Sequence, residues 1–455
     1  MISERVDELI KIVKDGILDG NRGESVLKVI NDQEIFNLEL RSIFAKNWIV
    51  MGLECEIPNA GDFILRFIGL DPFIVIRGDD GKIRCFFDSC RHRGTMFCVE
   101  SRGNTKNFMC PYHGWTYDNK GNLVGVSFKD KAYKNLNLRE WNLLEINVDV
   151  YDGIIFASME KNPISLMDYL GDAKWYLDII FKATGGLVNV GPPQRFVSEF
   201  DWKLGAENFS EDRIHVTVAH RSMSDLGFTG TSRFGSANES DFDVCVSDVK
   251  GHNNKPIAAF GIRREDPKNE IFLGYDKKSV DTFKPMEVQL DQWEVLKSAV
   301  NIVFTIFPNF SVFMSADSTD SPSSVKSRAT VSTMRVWQPI GPGRTEVWSW
   351  TIVPKGVSDE LKTRINEVTR GAFGITGNAE MDELAIWSRV TRAAKGIFAE
   401  RAITSLKGGL EGISQLPYCK DWPGPGICRP TQIHEEAMRT FWKRWSIDMS
   451  ERDDS

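Results

Sequence analysis

The chain has 455 residues, a formal net charge of −7, 42% hydrophobic residues and eight cysteines. That length allows two or three domains with sizeable cores; the acidic balance speaks against a nucleic-acid binder, and the cysteines are too sparse for a disulfide scaffold. No basic segment leads into an apolar core at the N-terminus and no run of about 18 apolar residues occurs, so neither a secretory signal nor a membrane span is expected and the cytoplasm is the expected compartment.

Val6, Leu9, Ile10, Val13, Ile17 and Leu18 recur at helical spacing and predict an amphipathic helix ended by Asp19 to Gly23. Asn31 to Glu34 caps a second helix reaching Phe44. From Trp48 the texture changes to short β-type runs at 63–67, 72–77 and 83–87, with Asp79-Asp80-Gly81 as a hairpin signal, a further hairpin at 117–123 and a strand region at 148–158. After Pro163 the pattern mixes. Residues 165–182, 358–373, 379–399 and 433–445 read as helices. Residues 195–202 alternate like a strand, 240–262 and 303–313 contain strand-like runs, and 330–337 and 345–353 read as two strands forming a long hairpin around Pro339 to Gly343. The tail Glu451 to Ser455 is expected to be loose.

One stretch organises this plan. It reads Cys-Arg-His-Arg-Gly at Cys90–Gly94 and Cys-Pro-Tyr-His-Gly-Trp at Cys110–Trp115. Each half offers one thiolate and one imidazole, the ligand set of a Rieske [2Fe–2S] centre, in which two His replace two Cys on one iron. Zinc could use the same donors, but zinc fingers usually group Cys with Cys and His with His. One of each per loop suits a cluster with two unlike irons. The remaining cysteines (Cys55, Cys85, Cys98, Cys245, Cys419, Cys428) show no metal spacing and read as reduced thiols.

Of six histidines, His215 and His220 fall together in an Asp-x-x-His-x-x-x-x-His run beginning at Asp212. A lone histidine is more often a core residue than a ligand. In a chain already carrying redox iron, two His and a carboxylate with open positions read as the facial triad of a non-heme Fe(II) oxygenase. The third ligand must come from elsewhere, and the region Phe373 to Leu384 is the candidate, although acids at a helix N-terminus are also favoured by the helix dipole alone.

The chain resembles, over nearly its whole length, the large (α) subunit of Rieske non-heme iron ring-hydroxylating oxygenases of the naphthalene and biphenyl dioxygenase type. The residues that carry this are both cluster motifs, Trp202 to Phe209, Asp212-x-x-His215, His220, Phe307-Pro308-Asn309 and Trp337 to Gly343. The resemblance implies that Cys90, His92, Cys110 and His113 hold the cluster and that His215 and His220 hold a mononuclear Fe(II). It implies that Asp212 bridges a cluster histidine of one subunit to an iron histidine of the next, in a ring of subunits whose electrons cross the interface, and that Asn208 lies near the iron. The family's third ligand is the second Asp of a Glu-x-Asp-Asp pattern. Ungapped placement puts Glu383 there, and a one-residue shift would give Asp382.

The expected fold is α+β: an antiparallel β Rieske [2Fe–2S] domain at 46–160 and a larger catalytic domain at 161–455, its antiparallel sheet covered by helices, with the N-terminal helices of 1–45 packing on the catalytic part. The expected activity is cis-dihydroxylation of an aromatic hydrocarbon with dioxygen and electrons from NAD(P)H, delivered by a reductase and a ferredoxin. A small β subunit in an α3β3 assembly is expected, with no nucleic acid or membrane partner. Phe209, Val216, Phe304, Phe307 and Phe373 are candidate pocket residues, each equally able to be core. Ala379 stands where relatives often carry a bulky aromatic, which points to a polycyclic substrate. The few charges in these stretches argue against a carboxylated substrate such as a benzoate. The alternatives are a Rieske monooxygenase or demethylase acting on a functionalised aromatic such as a salicylate, and a pure electron-transfer Rieske protein, against which the His215/His220 pair speaks.

Overall fold

The computed structural model describes residues 3–221, 242–316, 329–410, 419, 421–430 and 432–451. Most of the tail expected to be loose, and residues 240–241 of one expected strand region, lie outside these. The chain divides into two compact units, residues 44–166 and residues 1–43 together with 167–455.

The smaller unit holds a seven-stranded antiparallel sheet whose spatial order is 49–53, 154–158, 145–151, 83–87, 71–77, 62–68 and 102–104. A three-stranded sheet of 107–109, 116–118 and 123–125 stands beside it in the same unit. The expected single strand region 148–158 is two strands, because Asp152 and Gly153 both take positive φ and turn the chain back on itself. Ile74, Ile76, Phe86, Phe97, Phe108 and Tyr117 fill the core beneath the cysteine loops.

In the larger unit a nine-stranded sheet runs in the order 187–189, 344–354, 331–341, 310–315, 299–306, 256–264, 244–250 and 427–429, with 194–198 also paired to 344–354. Helix Asp359–Phe373 lies on strands 331–341 and 344–354, and helix Glu436–Ser450 on 244–250 and 256–264. The strand expected to reach Trp202 stops at Ser198. Asp201 then caps helix Trp202–Asn208 by accepting from the Lys203 amide, which commits Trp202 to the helix.

The N-terminal segment is joined to this unit by a buried polar knot. Glu39 accepts from Lys203 Nζ at 2.7 Å, Trp445 Nε1 at 2.8 Å and Trp202 Nε1 at 3.0 Å. Lys203, Glu39 and Asp201 are each at most 3% exposed, so one ammonium is held between two carboxylates where water cannot reach.

Candidate functional site

Two cysteine loops in the smaller unit share one backbone plan. The Cys90 amide donates to Thr95 O and the Gly94 amide to Cys90 O; the Cys110 amide donates to Trp115 O and the Gly114 amide to Cys110 O. Gly94 and Gly114 sit at φ +74° and +72°, a conformation that L side chains avoid. The plan sets the His92 and His113 rings 4.6 Å apart, with Trp115 stacked on His92 at 5.0 Å. The Nδ1 atoms of both histidines are buried and make no hydrogen bond. Unsatisfied buried nitrogens beside two buried cysteines are atoms that a metal centre would take. Tyr117 Oη accepts from the Arg91 amide at 3.0 Å and lies 3.6 Å from Cys90 Sγ. Arg91 is tied down, donating to Asn142 O and lying over Trp141, while Arg93 is exposed over the Tyr112 ring.

The second site, in the larger unit, grows from the chain between helices 202–208 and 213–219. Asp212 caps the second helix by accepting from the His215 amide, and its other oxygen lies 3.3 Å from His215 Nδ1. His220 stands at the helix C-terminus, so one short helix presents both imidazoles, 5.2 Å apart by ring centroid. Glu383, on helix Asn378–Ala394, brings Oε1 to 3.5 Å from His215 Nε2 and 3.3 Å from His220 Nε2. Asn208 Nδ2 donates to the same oxygen at 3.4 Å. Donor atoms of His215, His220 and Glu383 all lie within 4.8 Å of one another, the set and spacing that hold a metal ion. Asp382, the other candidate, instead meets the far side of His220, its carboxylate 3.3 Å from Nδ1.

Electrostatics agree with a cation site. Burial alone would raise the Glu383 carboxyl, but the close imidazoles of His215 and His220 outweigh it and hold the group at about 2. Neither ring nitrogen of His215 makes a well-directed hydrogen bond, and Glu383 Oε2 has no partner, although all three atoms are buried. They fit a bound ion better than they fit one another.

A cavity adjoins this triad. Its lining includes the expected Asn208, Phe209, Asp212, Val216, Phe373 and Ala379. Phe304 and Phe307 are not among the lining residues: Phe304 stacks into the core against Phe260 and Phe310, and Phe307 packs on Phe441. Val303, the residue before Phe304, faces the cavity instead, because neighbouring strand residues point to opposite sides. The lining also includes residues that sequence reasoning did not single out: Glu211, Arg263, Asn301, Ser315 and Gln432. A second cavity shares Asn208, Asp212, His215 and Glu383 and is further lined by Glu207 and Trp387.

A chain with a cysteine–histidine cluster fold and a two-histidine, one-carboxylate centre beside a cavity falls in the class of Rieske-type terminal oxygenases. A Rieske [2Fe-2S] domain model matches residues 47–141, and a model of the ring-hydroxylating alpha subunit catalytic domain matches residues 166–450. The naphthalene 1,2-dioxygenase large oxygenase component of Pseudomonas fluorescens is 32% identical over 96% of this chain and 94% of its own. The N,N-dimethyl phenylurea N-demethylase subunit alpha of Sphingobium sp. strain YBL2 is 32% identical over 97% of this chain and 94% of its own. The crystal structure of naphthalene 1,2-dioxygenase from Rhodococcus sp. bound to indole superposes with a TM-score of 0.89, 34% identity and 99% of both chains covered. The chain belongs to the ring-hydroxylating oxygenase α-subunit family, whose cofactors are the Rieske [2Fe–2S] cluster and a mononuclear iron. Among the described residues no helix is long and apolar enough to cross a membrane.

Proposed function

We propose that this chain is the terminal oxygenase α subunit of a multicomponent system that adds both atoms of dioxygen to an aromatic ring. The balance is ring plus dioxygen plus NAD(P)H plus a proton, giving the cis-dihydrodiol and NAD(P)+. Cys90, His92, Cys110 and His113 would hold the cluster, and His215, His220 and Glu383 the iron. The iron supplies the open positions at which dioxygen is activated. The convergence of these three donors on a cavity whose near walls are Phe209, Val216 and Phe373 carries the reading.

The protein's own groups then have separate tasks. Asp212 at His215 Nδ1 and Asp382 at His220 Nδ1 fix the orientation of the imidazoles, as carboxylates beside ligating histidines do. Asn208 steadies the Glu383 carboxylate. The aromatic walls hold a flat ring and exclude water. Asp212 is also the residue through which an electron would enter from the cluster histidine of a neighbouring subunit. A ferredoxin served by a reductase would dock near the exposed Arg93 and Tyr112. A small β subunit completing an α3β3 assembly, and a cytoplasmic setting suited to thiols that form no disulfide, belong to the same proposal.

A second reading is a Rieske monooxygenase or demethylase of a functionalised aromatic. The polar residues Arg263, Asn301 and Ser315 in the cavity and the demethylase relative favour it. The test is an assay of the iron-replete protein with ferredoxin and reductase under labelled dioxygen, offering naphthalene, phenanthrene, biphenyl and salicylate. A doubly labelled cis-dihydrodiol, largest for the polycyclic rings that the small Ala379 admits, supports the dioxygenase. Singly labelled phenol, or no turnover on any unsubstituted ring, moves the assignment to the second reading.

A further inference from the structure

The cavity wall opposite the helices is the sheet, and its register grades that wall from one chemistry to another. Cross-strand partners face the same side of a sheet. The row nearest the triad's supports is Ala259–Thr305–Ser311–Arg335. Its Thr305 hydroxyl donates to Ala206 O, and its Arg335 pairs with Glu380, one helical turn before Glu383. The next row is Gly261–Val303–Phe313–Thr333. It is the apolar row, with Phe313 packed on Phe209 and Phe373. The third row is Arg263–Asn301–Ser315–Val331. Four residues along the strand from Arg335, it lies about 13 Å away at the usual rise per residue.

This third row turns a mostly apolar cavity into an amphiphilic one. Arg263, Asn301, Ser315 and Val331 all line it, and Asn301 and Ser315 are only 7% and 4% exposed. Asn301 Nδ2 donates to Met314 O at 3.1 Å, which fixes the amide in place. Glu211 lies against the same wall, where any side chain at Gly261 would collide with its carboxylate. Its backbone is at φ +106°, a conformation costly for a residue with a side chain and concentrated at functional sites. The cavity's cations are already answered by acids: Asp243 Oδ2 lies 3.8 Å from Arg263 Nε, and Glu211 lines the cavity together with Arg213. An incoming carboxylate would have to compete with those acids for guanidinium groups that they already occupy. A neutral group that accepts and donates hydrogen bonds would not.

We propose that the row Arg263–Asn301–Ser315 is a specificity subsite for a neutral hydrogen-bonding substituent, such as a carbonyl, amide or hydroxyl, carried by the aromatic substrate at the end away from the iron. The proposal rests on the oxygenase reading for the placement of the ring, and it narrows the substrate class from bare polycyclic hydrocarbons to neutral substituted aromatics.

The test compares three probes with one ring system, naphthalene, 2-naphthamide and 2-naphthoate, in the reconstituted holoenzyme. Dissociation constants are read from substrate-induced spectral or calorimetric titration, and KM and kcat from product formation. The expected result is 2-naphthamide binding about 10-fold tighter than naphthalene, the size that one or two net hydrogen bonds give, with 2-naphthoate weakest. Arg263→Leu and Asn301→Leu remove that advantage through KM, bringing the amide-to-naphthalene affinity ratio down to about one; Ser315→Ala, the mildest change, does so in part. An amide no better than naphthalene, equal loss on all three probes in the variants, or preference for 2-naphthoate overturns the subsite. Retained binding order with no oxygenated product supports the subsite and removes the oxygenase reading instead.

Discussion

The Arg335 guanidinium and the Glu380 carboxylate form an ion pair at 2.5 Å in which neither side chain has any exposure. Arg335 also donates to Phe373 O at 2.7 Å and lies 5.3 Å from the Phe209 ring and 5.1 Å from the Phe373 ring. Strand 331–341 is thereby locked to the helix that carries Glu383 and to two cavity walls at once. Glu380→Gln leaves a buried guanidinium without its counter-charge, a defect that costs about 3–5 kcal/mol. The expected outcome is a lower unfolding temperature together with reduced mononuclear iron content at an unchanged cluster absorption spectrum. Full iron occupancy in a destabilised variant would restrict the pair to a role in folding.

Glu383 and Asp382 are separable by metal content. Glu383→Ala, like His215→Ala, should empty the mononuclear site and abolish oxygenation while the cluster signal persists. Asp382→Asn loses only the carboxylate beside His220 Nδ1. It should retain iron with about 10- to 100-fold weaker affinity, the usual cost of removing such a partner. Metal analysis after graded chelation distinguishes the two, and iron retained in Glu383→Ala would remove Glu383 from the ligand set.

Tyr117 bears on the cluster. In a thiolate-ligated centre its hydroxyl donates toward Cys90 Sγ while accepting from the Arg91 amide. Hydrogen bonds to sulfur raise the potential of iron–sulfur clusters. Tyr117→Phe should lower the reduction potential in a redox titration with the cluster content unchanged. An unshifted midpoint would show that the hydroxyl serves only the loop.

Glu207 gives a pH signature. Burial pushes its carboxyl up to about 8, against a hydrogen bond from Trp442 that lowers it, from an ordinary value of 4.5. Between those values the folded protein holds a proton that the unfolded chain has released, so stability falls as pH rises through the window. The contribution is complete below about 4.5 and lost by about 8. Glu207→Gln should gain on the wild type in unfolding temperature as pH increases across that range. Parallel curves for the two proteins would place the Glu207 carboxyl at its ordinary value.

What the sequence disclosed follows from how locally each feature is encoded. The cluster motif lies within 26 consecutive residues, Cys90 to Trp115, and its two glycines announce the loop geometry. His215 and His220 are also close in sequence. Glu383 is 163 residues from His220, and only the helix phase chooses it over Asp382, which is why the motif left two candidates. The Arg263–Asn301–Ser315 row was not legible at all. Its members sit singly in three apolar strands and meet only through register. The stretches that were read for the pocket, around Phe209, Val216, Phe304, Phe307 and Phe373, do not include Arg263 or Ser315, which is why an apolar pocket was expected. Phe304 was left open between pocket and core for a related reason: one step along a strand reverses the face, and composition carries no phase.

The pairing of strand 49–53 with strand 154–158 has a consequence beyond the sheet itself. These are the first and last strands of the 44–166 unit, and Trp48 Nε1 closes the gap by donating to Ile164 O at 3.0 Å. The chain therefore enters and leaves the cluster unit on adjacent strands, about 5 Å apart. A module whose two ends share one doorway interrupts its host sequence while keeping its own entry and exit side by side. The cluster motifs and the cavity residues thus lie in different units of a single polypeptide.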